Sequence, residues 1–147
     1  MTRRELREHC FKMLFCAGFY PQQEIEGQLE NYFLSPVEEE ETPEGNEEIL
    51  HNVNLGEEDR LALKERAGKV IQRIPELDER LNQVAEGWKT KRMGKADLAI
   101  LRLALFEMKY DEAVPEKVAI NEAVELAKKF GGKDSSAFIN GILAKLV

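Results

Sequence analysis

The stretch KKFGGKDSSAFINGIL, residues 128 to 143, brings a lysine and two serines beside a pair of glycines, residue types that can cradle phosphate. A P-loop would need a glycine five residues before its Gly-Lys and a serine or threonine directly after it, to hold the metal. Ala127 and Asp134 occupy those positions. The loop should also follow a strand, whereas EKVAINEAVELAKKF before it is patterned as a helix. This argues against ATP and leaves other phosphate chains open. A plain helical corner accounts for part of the stretch. Gly131 or Gly132 is expected to supply the left-handed residue that ends one helix, and Asp134 to cap the next. The corner does not account for Lys133, Ser135 and Ser136 gathering at a helix start, where unpaired N–H groups favour an anion.

No catalytic set stands out. His9 has no nucleophile at motif spacing, and G-x-S-x-G, H-E-x-x-H, G-x-G-x-x-G and C-x-x-C are all absent. Cys10 and Cys16 lie six apart, on different faces of one helix, and read as reduced packing residues. With only His9 and His51 besides, no structural zinc spacing exists. Glu107, Glu122 and Glu125 fall on helices where charge usually meets water. The expectation is a protein without catalytic residues, cofactor or metal.

Basic residues gather in two places. Arg3, Arg4 and Arg7 crowd the first two turns of the first helix, and arginine's planar fork suits phosphate and stacks on bases. Helical steps from Arg4 and Arg7 reach Phe11 and then Phe15, beside a core stripe of Leu6, Cys10, Met13, Leu14 and Ala17. The second cluster, WKTKRMGK, holds Lys89, Lys91, Arg92 and Lys95, with Trp88 read as a core plug. With Phe138 near the donor-rich helix start, these features suit single-stranded RNA, since stacking on an exposed aromatic contributes ~1–3 kcal/mol per base.

The elements that must position these residues are helical almost throughout. At 147 residues the chain is one domain with room for a real core. Thr2 and Glu5 form a capping box that opens a helix to about Phe19. Further helices are read over QQEIEGQLENYF, EEDRLALKERAGKVIQRI with Leu61 on its inner stripe, and PELDERLNQVAEGW, which Pro75 begins. The fifth, Gly94 to Tyr110, is apolar nearly all round and is placed at the centre. A sixth starts after Pro115 and a seventh runs from about Ser135 to Leu146. The result is an all-α, compact seven-helix bundle.

Charge is unevenly spread. Residues 35 to 60 hold ten acids against Arg60 alone, so removing that −9 from the net −7 leaves +2 elsewhere. The acidic segment at about 35–56 is expected to be a flexible, solvated loop, and no strand is expected. The N-terminus, MTRRELREHC, is charged where a secretory leader would turn apolar, and no window approaches the ~18 apolar residues of a membrane span. A cytoplasmic protein with no membrane partner is expected.

RRELREHCFKMLF, ADLAILRLALFEM and above all VPEKVAINEAVELAKKFGGKDSSAFINGIL resemble the NusB family of bacterial transcription antitermination factors. The likeness covers residues 3 to 20 and 93 to 146 well and is loose between them. It implies a single helical domain over 1–147 made of two packed helical subdomains. It also implies binding to boxA RNA of ribosomal RNA leaders together with the ribosomal protein NusE. Through other Nus factors and RNA polymerase, that assembly would suppress Rho-dependent termination. The resemblance places Arg3, Arg4, Arg7, Lys133, Asp134, Ser135 and Phe138 at the RNA, and Phe15, Asp97 and Glu107 at the protein partner. Self-pairing through overlapping surface is a further implication. Two other readings are an accessory domain of an rRNA-modifying enzyme and a homodimeric interaction module without RNA. The first would require a truncated chain, since this one stops at Val147 without a cofactor loop.

Overall fold

The computed structural model describes residues 2–33, 38–41, 47–51, 55–87 and 89–147. Seven α-helices carry the fold: α1 (Arg3–Ala17), α2 (Ile25–Tyr32), α3 (Glu57–Gln72), α4 (Ile74–Val84), α5 (Lys95–Tyr110), α6 (Glu116–Phe130) and α7 (Ser135–Ala144). The Thr2 hydroxyl oxygen accepts from the Glu5 amide at 3.1 Å, the forward half of the expected capping box. α1 stops two residues short of Phe19, and a 3-10 turn over Gln22–Glu24 leads into α2.

α5 lies at the centre as its apolar circumference requires. It packs against α1, α3, α4, α6 and α7, and Ile100, Leu101, Leu103 and Leu105 are sealed from solvent. α1 also packs against α2 and α3, and α6 against α7. Leu61 departs from its expected place: it is exposed, and the buried stripe of α3 runs through Leu63, Ala67, Val70 and Ile71. Leu63 and Ala67 are four apart and Val70 three further on, so the inward face is shifted by two residues from Leu61.

The acidic segment contains a hairpin where a loop was expected. Glu38–Glu41 (β1) pairs antiparallel with Glu47–His51 (β2), Glu39 opposite Ile49 and Glu41 opposite Glu47. Four successive glutamates offer neither alternation nor strand propensity, so the pairing had no local signal. Trp88 lies outside the described residues. Cys10 is buried, and burial pushes its thiol up to about 12. Cys16, read as packing, is exposed. Tyr32 on α2 is buried and hydrogen-bonds His9 Nδ1 on α1, and burial raises its hydroxyl above the usual phenol range. Among the described residues, no helix is long and apolar enough to cross a membrane.

Candidate nucleic-acid interface

The basic first turns of α1 lie along α6. Arg4 Nε and Nη2 donate to Glu122 at 3.1 and 2.8 Å. That hydrogen bond, with the nearby positive charge, holds the Glu122 carboxyl below the ordinary range. Arg4 nevertheless keeps 69% of its side chain in solvent. Further along, Lys129 Nζ donates to both Glu8 carboxylate oxygens at 2.9 and 3.0 Å. Phe11 packs on Phe130 with ring centroids 5.0 Å apart. Residue numbers rise together across these contacts, so the two helices run parallel, and α6 delivers the chain to the glycine corner beside the middle of α1. Arg3, Arg4, Lys128, Lys129 and Lys133 therefore mark a track of about 15 Å, the rise of some ten helical residues. Lys128 and Lys129 were absent from the expected set; their signal was position, in the last turn of the helix that feeds the corner.

Arg7 lies further inward than Arg4. Only 12% of its side chain is exposed, and its Nε and Nη2 donate to Glu107 at 2.9, 3.2 and 2.9 Å. Burial works against its charge, but the Glu107 hydrogen bonds and charge outweigh it and leave the guanidinium pKa raised. Glu107, expected at the surface for a protein partner, is 4% exposed. A buried acid on a helix that is apolar nearly all round has little water to face, so it takes its counterion from α1. The pair clamps the start of α1 to α5.

The corner itself corrects two further expectations. No left-handed residue ends α6: Gly131 is extended, at φ −89° and ψ 178°, and among the described residues only Gly87 has positive φ. Glycine is needed there for space, since a Cβ on Gly131 would stand 2.5 Å from Ser135 Cβ and 2.7 Å from the Ala127 carbonyl oxygen. Asp134 occupies the position before α7 with ψ near 3° and makes no capping hydrogen bond; its side chain stays exposed. Ser135 does the bracing instead, its buried Oγ accepting from the Gly132 amide at 2.9 Å. Gly131→Ala is expected to destabilise the fold by ~1–3 kcal/mol through this overpacking, read as a lowered urea midpoint. An unchanged midpoint would show that the corner can relax.

Ser136 and Phe138 are half-buried, and Phe138 packs on the core with part of its ring outside. The second basic cluster is largely structural. Lys89 donates to the carbonyls of Asn82 and Ala85 at the end of α4, and Lys95 to the Gly18 carbonyl. That last bond joins the end of α1 to the start of α5. Phe15 is half-buried against Phe11 and meets the exposed Phe19 edge-on at 5.2 Å. Asp97 lies in the first turn of α5, where a carboxylate suits the helix dipole. Among the described residues no group of His, Cys, Asp and Glu could hold a metal ion.

The molecule is thus a helical bundle with a row of basic side chains along α1 and α6 that ends at the start of α7. The sequence matches the NusB family over residues 4–147. The transcription antitermination protein NusB of Lachnoclostridium phytofermentans is 48% identical over 147 residues, covering 100% of this chain and 99% of its own. That of Agathobacter rectalis is 43% identical over 145 residues, covering 99% and 98%. The solved structure of T. maritima NusB superposes with a TM-score of 0.79 at 25% identity, covering 99% of this chain and 90% of that one. A complex of antitermination factors NusB and NusE with double-stranded RNA gives 0.65 at 15% identity, covering 99% and 97%, which speaks for the fold alone. This chain belongs to the NusB family, and is a transcription antitermination factor, not an enzyme.

Proposed function

We propose that this antitermination factor binds boxA RNA of ribosomal RNA leaders jointly with the ribosomal protein NusE and so suppresses Rho-dependent termination. The family match across residues 4–147 carries the reading. The RNA follows the track from Arg3 and Arg4 past Lys128 and Lys129 to Lys133, Asp134, Ser135 and Phe138, where free amide hydrogens of α7 meet phosphate. Arg7 supports that surface from beneath. The protein partner takes Phe15 and Asp97, and the complex reaches other Nus factors and RNA polymerase in the cytoplasm. Because Arg4 and Lys129 already hold Glu122 and Glu8, phosphate must share these cations with carboxylates, so affinity without the partner is low.

The test is a titration with boxA RNA at several salt concentrations, with and without the ribosomal partner, on material whose mass in solution has been measured. Log affinity is expected to fall linearly with log salt, and the partner to tighten binding. Salt-independent binding, or none with the partner present, would overturn the RNA reading. A stable dimer that excludes RNA would favour the self-pairing module instead.

A further inference from the structure

Arg3 belongs to a second feature on its other side. A cavity of about 350 Å³ lies between α1, α3 and the end of α5, lined by Leu6, Leu63 and Leu103 and edged by Arg3, Arg66 and Asp111. It shares Ala62, Arg66 and Asp111 with a wider groove of about 670 Å³, which continues along α3 past Lys69 and Arg73 to Tyr110 on α5. Arg66 and Lys69 on α3 and Arg73 directly after its end recur at steps of three and four, along one face, about 10 Å from first to last.

Each cation is tied to a carboxylate: Arg66 to the half-buried Asp111 at 2.6 Å, Lys69 to Glu65 at 3.0 Å and Arg73 to Glu76 at 3.2 Å. Pairs as exposed as the last two hold their members weakly. The groove also has planar faces. The Arg73 guanidinium lies 3.9 Å from the centroid of the Tyr110 ring, which is 38% exposed, and Glu76 braces both members of the stack. Arg66 sits 5.6 Å over the Phe106 ring.

A row of cations beside stacked planar groups is how proteins hold single-stranded nucleic acid, the charges following the backbone and the faces taking bases. An acidic peptide would use the charges and leave the stack idle. We infer that the groove between α3 and α5 is a second RNA site, taking unpaired nucleotides that flank boxA after they pass Arg3. The inference rests on the boxA reading and extends it, since continuity through Arg3 supplies the strand.

The test compares three RNAs on the full chain: boxA alone, and boxA lengthened by about six unpaired nucleotides, within the usual range of single-strand sites, on the 5′ or the 3′ side. One lengthened RNA is expected to bind roughly tenfold tighter than boxA alone, the gain of a stacked base. Lys69→Glu with Arg73→Glu should remove that gain and leave boxA affinity unchanged, with Tyr110→Ala reproducing part of the loss. Lengthened RNAs that bind no tighter than boxA, or a gain that survives the double substitution, would overturn the second site. Loss of NusE binding in the double variant with the RNA gain intact would make the groove a protein site instead. Failure of boxA alone to bind would sink the boxA reading itself, a result distinguishable from these.

Discussion

Replacing Glu107 by alanine is expected to lower the unfolding free energy by about 3–5 kcal/mol, the penalty for leaving one member of a buried ion pair without its partner. Both Glu107 oxygens accept from Arg7, and the guanidinium lies among Leu6, Cys10 and Leu103. Without Glu107 its nearest carboxylate is Glu122 at 3.7 Å, too far for a good hydrogen bond. The positive charge must then lose its hydration without compensation or pull the first turns of α1 off α5. Arg7→Ala should cost a similar amount, because a carboxylate is then left buried. Arg7→Met with Glu107→Leu should lie nearer the parent, since well-packed apolar replacement of a buried pair is often close to neutral. Urea unfolding of the parent, Glu107→Ala, Arg7→Ala and the Arg7→Ala/Glu107→Ala double forms a double-mutant cycle. Additive single effects would show that the two side chains do not act as a unit.

Glu107 also lies at the limit of what the sequence makes legible. The periodicity of α5 was legible because Ile100, Leu101, Leu103, Ala104, Leu105, Phe106 and Met108 surround the axis, and such a helix has to be enclosed. The same observation should have placed Glu107 indoors: it follows Leu103 and Ala104 by four and three residues and sits between Phe106 and Met108. A carboxylate there needs a cation from another helix, and Arg7 was the available one beside the stripe of Leu6, Cys10 and Leu14. The corner was legible as a break and a restart, through Gly131, Gly132 and Ser135. Its detail depended on backbone angles that sequence does not carry. With ψ near 3°, Asp134 cannot turn its carboxylate onto the next amides as a capping residue in extended conformation does. The hairpin of the acidic segment was illegible for another reason, since strand pairing joins residues with no local pattern of their own.

Arg3→Glu combined with Lys133→Glu is expected to weaken boxA binding by roughly a hundredfold or more, as two charged contacts each contributing ~1.5–3 kcal/mol are lost and replaced by repulsion. These two are the sharper probes of the track because neither makes an ion pair among the described residues, and Asp111, which feels the Arg3 charge, is held chiefly by its hydrogen bond from Arg66. Reversing Arg4 would confound the result by setting a glutamate against Glu122, and reversing Arg7 would break the clamp to α5 and unsettle the whole face. Helical content and urea midpoint of the double variant should therefore match the parent. The salt dependence separates direct contact from a general change in charge. Two lost phosphate contacts should reduce the magnitude of the slope of log affinity against log salt by about 1.4, at ~0.7 per contact on a single strand. A weakened affinity with an unchanged slope would mean that Arg3 and Lys133 act at a distance, through the field of the protein. Parent-like affinity and slope would remove both residues from the RNA and leave the strand to cross the molecule by another face.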